Sequence, residues 1–316
     1  MGTDAGAVPA GQRSAGPQPC CSVEFFPPRD AKQRQVLHEA ARELAALAPD
    51  FFSVTFGAGG STREYTLETV VELQRRTGMT GVPHISCAGS SLEQLRAVLS
   101  AYRAAGVCHL VALRGDVPSG LAGSGELHYA SELVAWIRKE TGSHFHIEVA
   151  AHPEFHPQAE SAAADLEHFR RKVEAGANSA ITQYFYNPDA YFRFLEGCDR
   201  LGIDIPIFPG VMPISSYSRL LRFSRICCAE VPRWLLYRLR DLEGDREGIC
   251  AFGQEVVASL CERLLQGGAP GLHFYTLNRA AATVALWRQL GLPGAAPGQE
   301  APAETGQAGR DSASCG

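Results

Sequence analysis

Glu24 lies in the run Ser22-Val23-Glu24-Phe25-Phe26-Pro27-Pro28-Arg29, an acid inside a stretch that otherwise reads as a buried strand. A carboxylate stripped of water favours its protonated form, which is the state a general acid needs. The same residue could be a surface Glu or the partner of Arg29. Further along, Asp165, His168 and Lys172 stand at i, i+3 and i+7, so they share one helical face with Arg171 beside it. Such a face could grip a diphosphate and a ribose, or it could be a solvated face of helix ion pairs.

These side chains need elements to hold them. Short β-like runs recur at Ser22 to Phe26, Phe51 to Thr55, Pro83 to Cys87, His109 to Leu113, His146 to Ala150, Ser179 to Gln183, Ile205 to Pro209 and Gly271 to Tyr275. Each gap between them carries helical periodicity, as in Leu92, Leu95, Val98, Leu99 and Tyr102. Eight strand–helix units predict an α/β fold, a (β/α)8 TIM barrel, with extra helices between the seventh and eighth strands in the stretch Ser216 to Gly268. A doubly wound open sheet is the alternative, but no G-x-G-x-x-G follows the first strand. In a barrel, active sites gather where the strands end. Glu24, Thr55, His84, Arg114-Gly115-Asp116, His152, His156, Gln183, Tyr275 and Asn278-Arg279 all fall in or just after strands, and together they predict a polar mouth.

Composition narrows the function classes. With 45% apolar and 20% charged residues, a chain of 316 residues can bury a large core. A formal charge of -5 offers no broad basic field for nucleic acid or an anionic membrane, so small-molecule partners are expected. The ten cysteines include two adjacent pairs and no C-x-x-C spacing, which suggests neither a zinc site nor a disulfide scaffold. No metal is expected. With no apolar leader and no run near the roughly 18 apolar residues of a membrane span, the reading is a reduced cytoplasmic protein. Residues 1–19 and 293–316 are rich in Gly, Ala, Pro, Ser and Gln, and read as disordered tails around one domain over 20–292.

Val23-Glu24-Phe25-Phe26-Pro27-Pro28, Val54-Thr55-Phe56-Gly57-Ala58-Gly59-Gly60, Leu113-Arg114-Gly115-Asp116 and His273-Phe274-Tyr275-Thr276-Leu277-Asn278 resemble the methylenetetrahydrofolate reductase family. The resemblance runs in order from about Ser22 to Leu292 and includes Glu148-Val149-Ala150-Ala151 and Ile181-Thr182-Gln183. Because the chain ends soon after the eighth unit, it looks like the bacterial single-domain form. The family implies a (β/α)8 barrel, which agrees with the periodicity.

The resemblance also implies an activity. FAD would take hydride from NADH or NADPH and deliver it to 5,10-methylenetetrahydrofolate in ping-pong fashion. The product, 5-methyltetrahydrofolate, supplies methyl groups for methionine synthesis. By the same resemblance Glu24 is the acid that opens the imidazolidine ring, and Asp116 tunes flavin and folate electrostatically. The FAD site would comprise Thr55, Phe56, Ala58, His84, Arg114, Gly115, Asp116, Tyr129, Ala130, His152, His156, Ala159, Asp165, His168, Arg171 and Lys172. Folate and nicotinamide would meet Glu24, Asp116, Gln183, Arg219, Phe223, Tyr275 and Arg279. Phe56 and His152 stand where some relatives have Tyr, His168 where Asn occurs, and Arg219 where Gln contacts folate. Relatives are usually homodimers or homotetramers, which makes a homo-oligomer the expectation. A non-redox folate- or pterin-binding barrel, such as a methyltransferase, and a barrel kept only as a binding module are the other function classes.

Overall fold

Strand and helix alternate along the chain as the periodicity predicts. The computed structural model describes residues 18–56, 63–115 and 125–294. In chain order these form β1 (Cys20–Phe25), α1 (Ala31–Ala45), β2 (Phe51–Val54), α2 (Arg63–Thr77), β3 (Gly81–Ser86), α3 (Leu92–Ala104), β4 (His109–Leu113) and α4 (Ala130–Thr141). There follow β5 (His146–Ala151), α5 (Ala162–Glu174), β6 (Ser179–Thr182), α6 (Pro188–Arg200), β7 (Ile207–Phe208) and β8 (Gly210–Val211). The described chain closes with α7 (Tyr217–Cys227), α8 (Arg233–Asp241), α9 (Arg246–Gln266), β9 (Gly271–Tyr275) and α10 (Ala281–Gln289). Helix starts follow local chemistry. Asp30, Ser91, Ser161, Asn187, Ser216 and Asp245 each cap the first turn of the helix they precede.

All strand pairs are parallel, in the order β7-β6-β5-β4-β3-β2-β1-β9-β8. The expected seventh strand, Ile205 to Pro209, is only β7; β8 follows it as an additional short strand, separated from it by Pro209, which has no N–H to give to a ladder. β7 pairs with β6 and β8 with β9, so the sheet curls into a (β/α)8 barrel. The carbonyl of Pro209 still accepts the His273 amide at 3.0 Å. Gly210 is required at this seam, because a Cβ there would lie 2.2 Å from the Thr182 carbonyl oxygen and 2.6 Å from the Tyr275 ring. The predicted extra helices are α7, α8 and α9, between β8 and β9.

Period-2 alternation sorts the strands into two layers. Val23, Phe25, Phe52, Val54, Ile85, Leu110, Ile147, Val149, Leu272 and Phe274 join the large core beneath the helices. The barrel interior holds only a small apolar cluster of Phe51, Val82, Val111 and Ile181. Buried beside it are Ser22, Ser53, His84, Glu148, Ser179 and His273. Among the described residues no helix is long and apolar enough to cross a membrane. The expected tails lie outside the described residues except at 18–19 and 293–294, where the Trp287 indole N–H donates to the Pro293 carbonyl at 2.8 Å.

Candidate active site

Glu24 is the fifth residue of β1, and its side chain, 18% exposed, sits at the C-terminal mouth among imidazoles. Its Oε2 is 3.4 Å from His84 Nε2 and 3.6 Å from His273 Nε2. Among the described residues neither ring nitrogen has a hydrogen-bond partner, and both face the same carboxylate oxygen. His273 is held from its other side, its Nδ1 2.7 Å from Ser22 Oγ. Burial lowers the pKa of His84, with Glu24 working against that shift and His273 adding to it. Arg29, the alternative partner weighed from sequence, is not among the ion pairs of Glu24 in the described residues.

The strand beside Glu24 is fastened at the same level. Glu24 is in register with Tyr275 on β9, and the Thr276 hydroxyl donates to the Glu24 carbonyl at 2.6 Å. Asn278 clamps Phe26 by accepting from its N–H and donating to its carbonyl, both at 2.9 Å. Leu277 and Asn278 both have positive φ, 51° and 55°. An Asn tolerates this region, whereas a Leu there costs roughly 1 to 2 kcal/mol, so the clamp holds a strained turn. The Tyr275 hydroxyl is engaged with the Thr182 carbonyl at 2.8 Å, and burial, with Glu24 next, keeps it protonated.

The residues expected around a dinucleotide collect where β4 and β5 end. Lys172 donates to the Ala150 carbonyl, and the Asp165 carboxylate accepts the His156 N–H at 2.9 Å. Burial brings the Lys172 pKa down to about 8, against the pull of Asp165. The His152 and His156 rings meet edge-on at 4.8 Å, and burial, then Lys172 and His156, pushes the His152 pKa down to about 3. Tyr129, 56% exposed at the start of α4, lies 6.4 Å from the His168 ring, with Ala130 next to it. Arg114 reaches Gln158, and Ala159 is turned back onto the His156 carbonyl. Gly115 has φ 81°, and a Cβ there would strike Ser86 Oγ at 1.9 Å. Thr55 and Phe56 are half-buried past the end of β2. Arg171 does not join this group; it is exposed and pairs with Glu167 at 3.6 Å, which is the helix ion pair that sequence left open. Ala58 and Asp116 lie outside the described residues.

Of the expected substrate residues, Arg219 and Arg279 line one cavity of about 670 Å³ between α7, α9 and α10. Burial lowers the Arg219 pKa, with Arg279, Arg222 and Arg246 adding to it, so cations converge there. Gln183 directly follows β6, its side-chain oxygen accepting the Tyr184 N–H at 3.0 Å. Phe223, one turn after Arg219, packs half-buried on the core under the Arg222 guanidinium, 5.1 Å from the ring centre.

Sequence reasoning missed Ser22, His273 and Arg246. Ser22 and Glu24 share a face by period 2, as do His273 and Tyr275, and that alternation was the available signal. It also missed Phe155, 58% exposed with φ 58°, a strained aromatic in the loop that carries His152 and His156.

Comparison with known proteins places this geometry in a family. The methylenetetrahydrofolate reductase sequence profile matches residues 11–291. The 5,10-methylenetetrahydrofolate reductase of Pectobacterium carotovorum is 40% identical over 271 residues, which cover 86% of this chain and 90% of that protein. That of Escherichia coli is 39% identical over the same length and coverage. Methylenetetrahydrofolate reductase (NADH) 1 of Arabidopsis thaliana is 34% identical over 288 residues, 87% of this chain and 49% of that one. A solved Clostridium thermocellum protein, described as binding two copies of 5-methyl-5,6,7,8-tetrahydrofolic acid, shares the fold. Its TM-score is 0.64 at 17% identity, over 86% of this chain and 95% of its own. With the profile matched over residues 11–291 and this level of identity over most of the chain, the chain belongs to the methylenetetrahydrofolate reductase family.

Proposed function

We propose that the protein reduces 5,10-methylenetetrahydrofolate to 5-methyltetrahydrofolate, with FAD at the mouth of the barrel and NADH or NADPH as donor in a ping-pong cycle. The observation that carries the reading is Glu24, a carboxyl at the mouth supported by two imidazoles, in a chain 40% identical to a reductase of that name. The donor set beside it suits a dinucleotide. Lys172 and Arg114 offer cations, and Tyr129, His152 and His156 offer ring surface within one loop cluster. Gly115, Ala130, Ala159, Asp165 and His168 would complete that site, together with Thr55, Phe56 and Ala58. When bound, FAD supplies hydride transfer from nicotinamide to the one-carbon unit.

The chain's own residues supply the proton and the positions. Glu24 gives its proton to the anilino nitrogen of the imidazolidine ring, the carbon–nitrogen bond breaks, and the resulting iminium carbon accepts hydride as the new methyl. The imidazoles of His84 and His273, the latter anchored by Ser22, fix the carboxyl. Asp116 would favour a cationic folate, and Gln183 would hydrogen-bond the pterin. Arg219 and Arg279 converge on one cavity, a suitable place for the glutamate carboxylates, while Phe223 would pack on the nicotinamide. A cytoplasmic homodimer or homotetramer belongs to the same proposal, and the free thiols of the described cysteines are consistent with a reducing compartment.

The test is direct. Purified protein should be yellow, be bleached by NADH or NADPH, and recover its colour on methylenetetrahydrofolate. Acid precipitation should leave the flavin in the supernatant. Colourless protein that binds folate would instead support the non-redox barrel.

A further inference from the structure

The end of the barrel remote from Glu24 carries a second group of polar side chains. His109 opens β4, His146 opens β5, and Glu148 stands two residues further on, facing the same way. One ring nitrogen of each histidine and one Glu148 carboxylate oxygen all lie within 4.8 Å of one another. His109 Nε2 and Glu148 Oε1 are 3.3 Å apart. A tetrahedral zinc site with bonds of about 2.0 to 2.1 Å has ligand–ligand edges of roughly 3.4 Å, close to this separation.

Burial makes the group more than a chance cluster. Glu148 is 1% exposed, yet among the described residues its Oε2 has no hydrogen-bond partner, and neither has His109 Nε2. A buried carboxylate oxygen left unpartnered is costly, and a cation would satisfy it. Ser179, the first residue of β6, is bonded to two of the three residues. Its hydroxyl lies 2.7 Å from His146 Nε2 and donates to Glu148 Oε1 at 3.3 Å. A hydroxyl shared in this way fixes the His146 ring and the Glu148 carboxylate relative to each other. His146 is exposed while Glu148 is not, which gives an ion a way in from solvent.

We propose that His109, His146 and Glu148 bind one divalent transition-metal ion of the zinc class, with three protein ligands and one position open to water. Two imidazoles disfavour magnesium and calcium, which take oxygen ligands. Cysteine spacing pointed to no zinc site, and this one uses no cysteine. The ion would tie β4 to β5 at the end of the barrel where such folds keep stability rather than catalysis.

Metal-stripped full-length chain should be titrated with Zn²⁺ against a chromophoric chelator and, separately, with Co²⁺ read by visible absorption. The wild type should bind one tight equivalent, show cobalt d–d bands without a thiolate charge-transfer band, and melt at higher temperature with Zn²⁺. His146→Gln, a substitution at an exposed position, should weaken that equivalent by more than about 100-fold and abolish the thermal shift. Ser179→Ala should weaken it by about 10- to 100-fold. No tight equivalent, equal binding by wild type and His146→Gln, or a thiolate-dominated cobalt spectrum would overturn the proposal.

Discussion

Glu24→Gln keeps the size of the side chain and removes its charge and transferable proton. The cost to the fold depends on the state of the two imidazoles. A full ion pair at the 3.4 Å between Glu24 and His84 is worth about 5 kcal/mol at an effective dielectric near 20. Burial lowers the His84 pKa, so that ring is neutral at neutral pH, and without a hydrogen bond between them the contact is worth at most about 1 kcal/mol. For a chain of this size that is a fall in Tm of roughly 2 to 4 °C. The kinetic effect should be far larger and confined to one half-reaction. Rapid mixing should find flavin reduction by nicotinamide near the wild-type rate, and reoxidation by methylenetetrahydrofolate slowed about 10²- to 10⁴-fold. Equal slowing of both halves would make Glu24 a structural or flavin-tuning group. A melting point lower by more than about 10 °C would refute the assignment of a neutral His84.

Ser22→Ala strands Nδ1 of a fully buried His273, so chemical denaturation should report a loss of about 1 to 3 kcal/mol, with the folate half-reaction slowed less than by Glu24→Gln. No change in either would mean that the Ser22 hydroxyl does not hold the ring. Gly210→Ala puts a Cβ against the Thr182 carbonyl at the start of β8; unfolding curves should show a loss of more than about 2 kcal/mol, and a neutral result would mean that the seam is loose. His152 titrates near 6.5 when unfolded and about 3 when folded, so its stabilising contribution is complete above pH 6.5 and is lost as pH falls toward 3. At about pH 4 that loss is roughly 3 kcal/mol, and His152→Tyr should therefore melt with a flatter acid limb than the wild type; superimposed profiles would contradict it.

Much of the frame was legible because it rests on local rules. Short apolar runs located eight of the nine strands, but β8, just past Pro209 where the seventh run was expected to end, was not among them. Glu24 stood out because an acid in an apolar strand needs a reason. Its partners did not stand out, since His84 and His273 come from β3 and β9, and which inward residues meet across a barrel depends on strand stagger that no linear spacing displays. Asp165, His168 and Lys172 all lie on α5, as their spacing predicts, but the bonds of Asp165 and Lys172 run to the β5–α5 loop and the Ala150 carbonyl rather than being left free. Arg171 followed the ordinary helix ion-pair rule, which competes with ligand binding wherever Glu stands four residues earlier.

The division of labour between the two faces of the sheet explains how so polar a barrel interior is tolerated. Outward residues such as Val23, Phe25, Phe52, Val54, Ile147, Val149 and Phe274 are almost completely buried under the helices, and each contributes about 1.5 to 3 kcal/mol of burial. The interior contributes little of this kind, because Ser22, Ser53, His84, Glu148, Ser179 and His273 displace aliphatic side chains there. An interior that does not carry the fold can place a carboxyl between two imidazoles at one end and two histidines around a buried carboxylate at the other. Replacing the polar layer by aliphatic residues should therefore raise stability and remove function together, since what the interior forfeits in burial is what leaves Glu24 and Glu148 short of partners and ready to receive one.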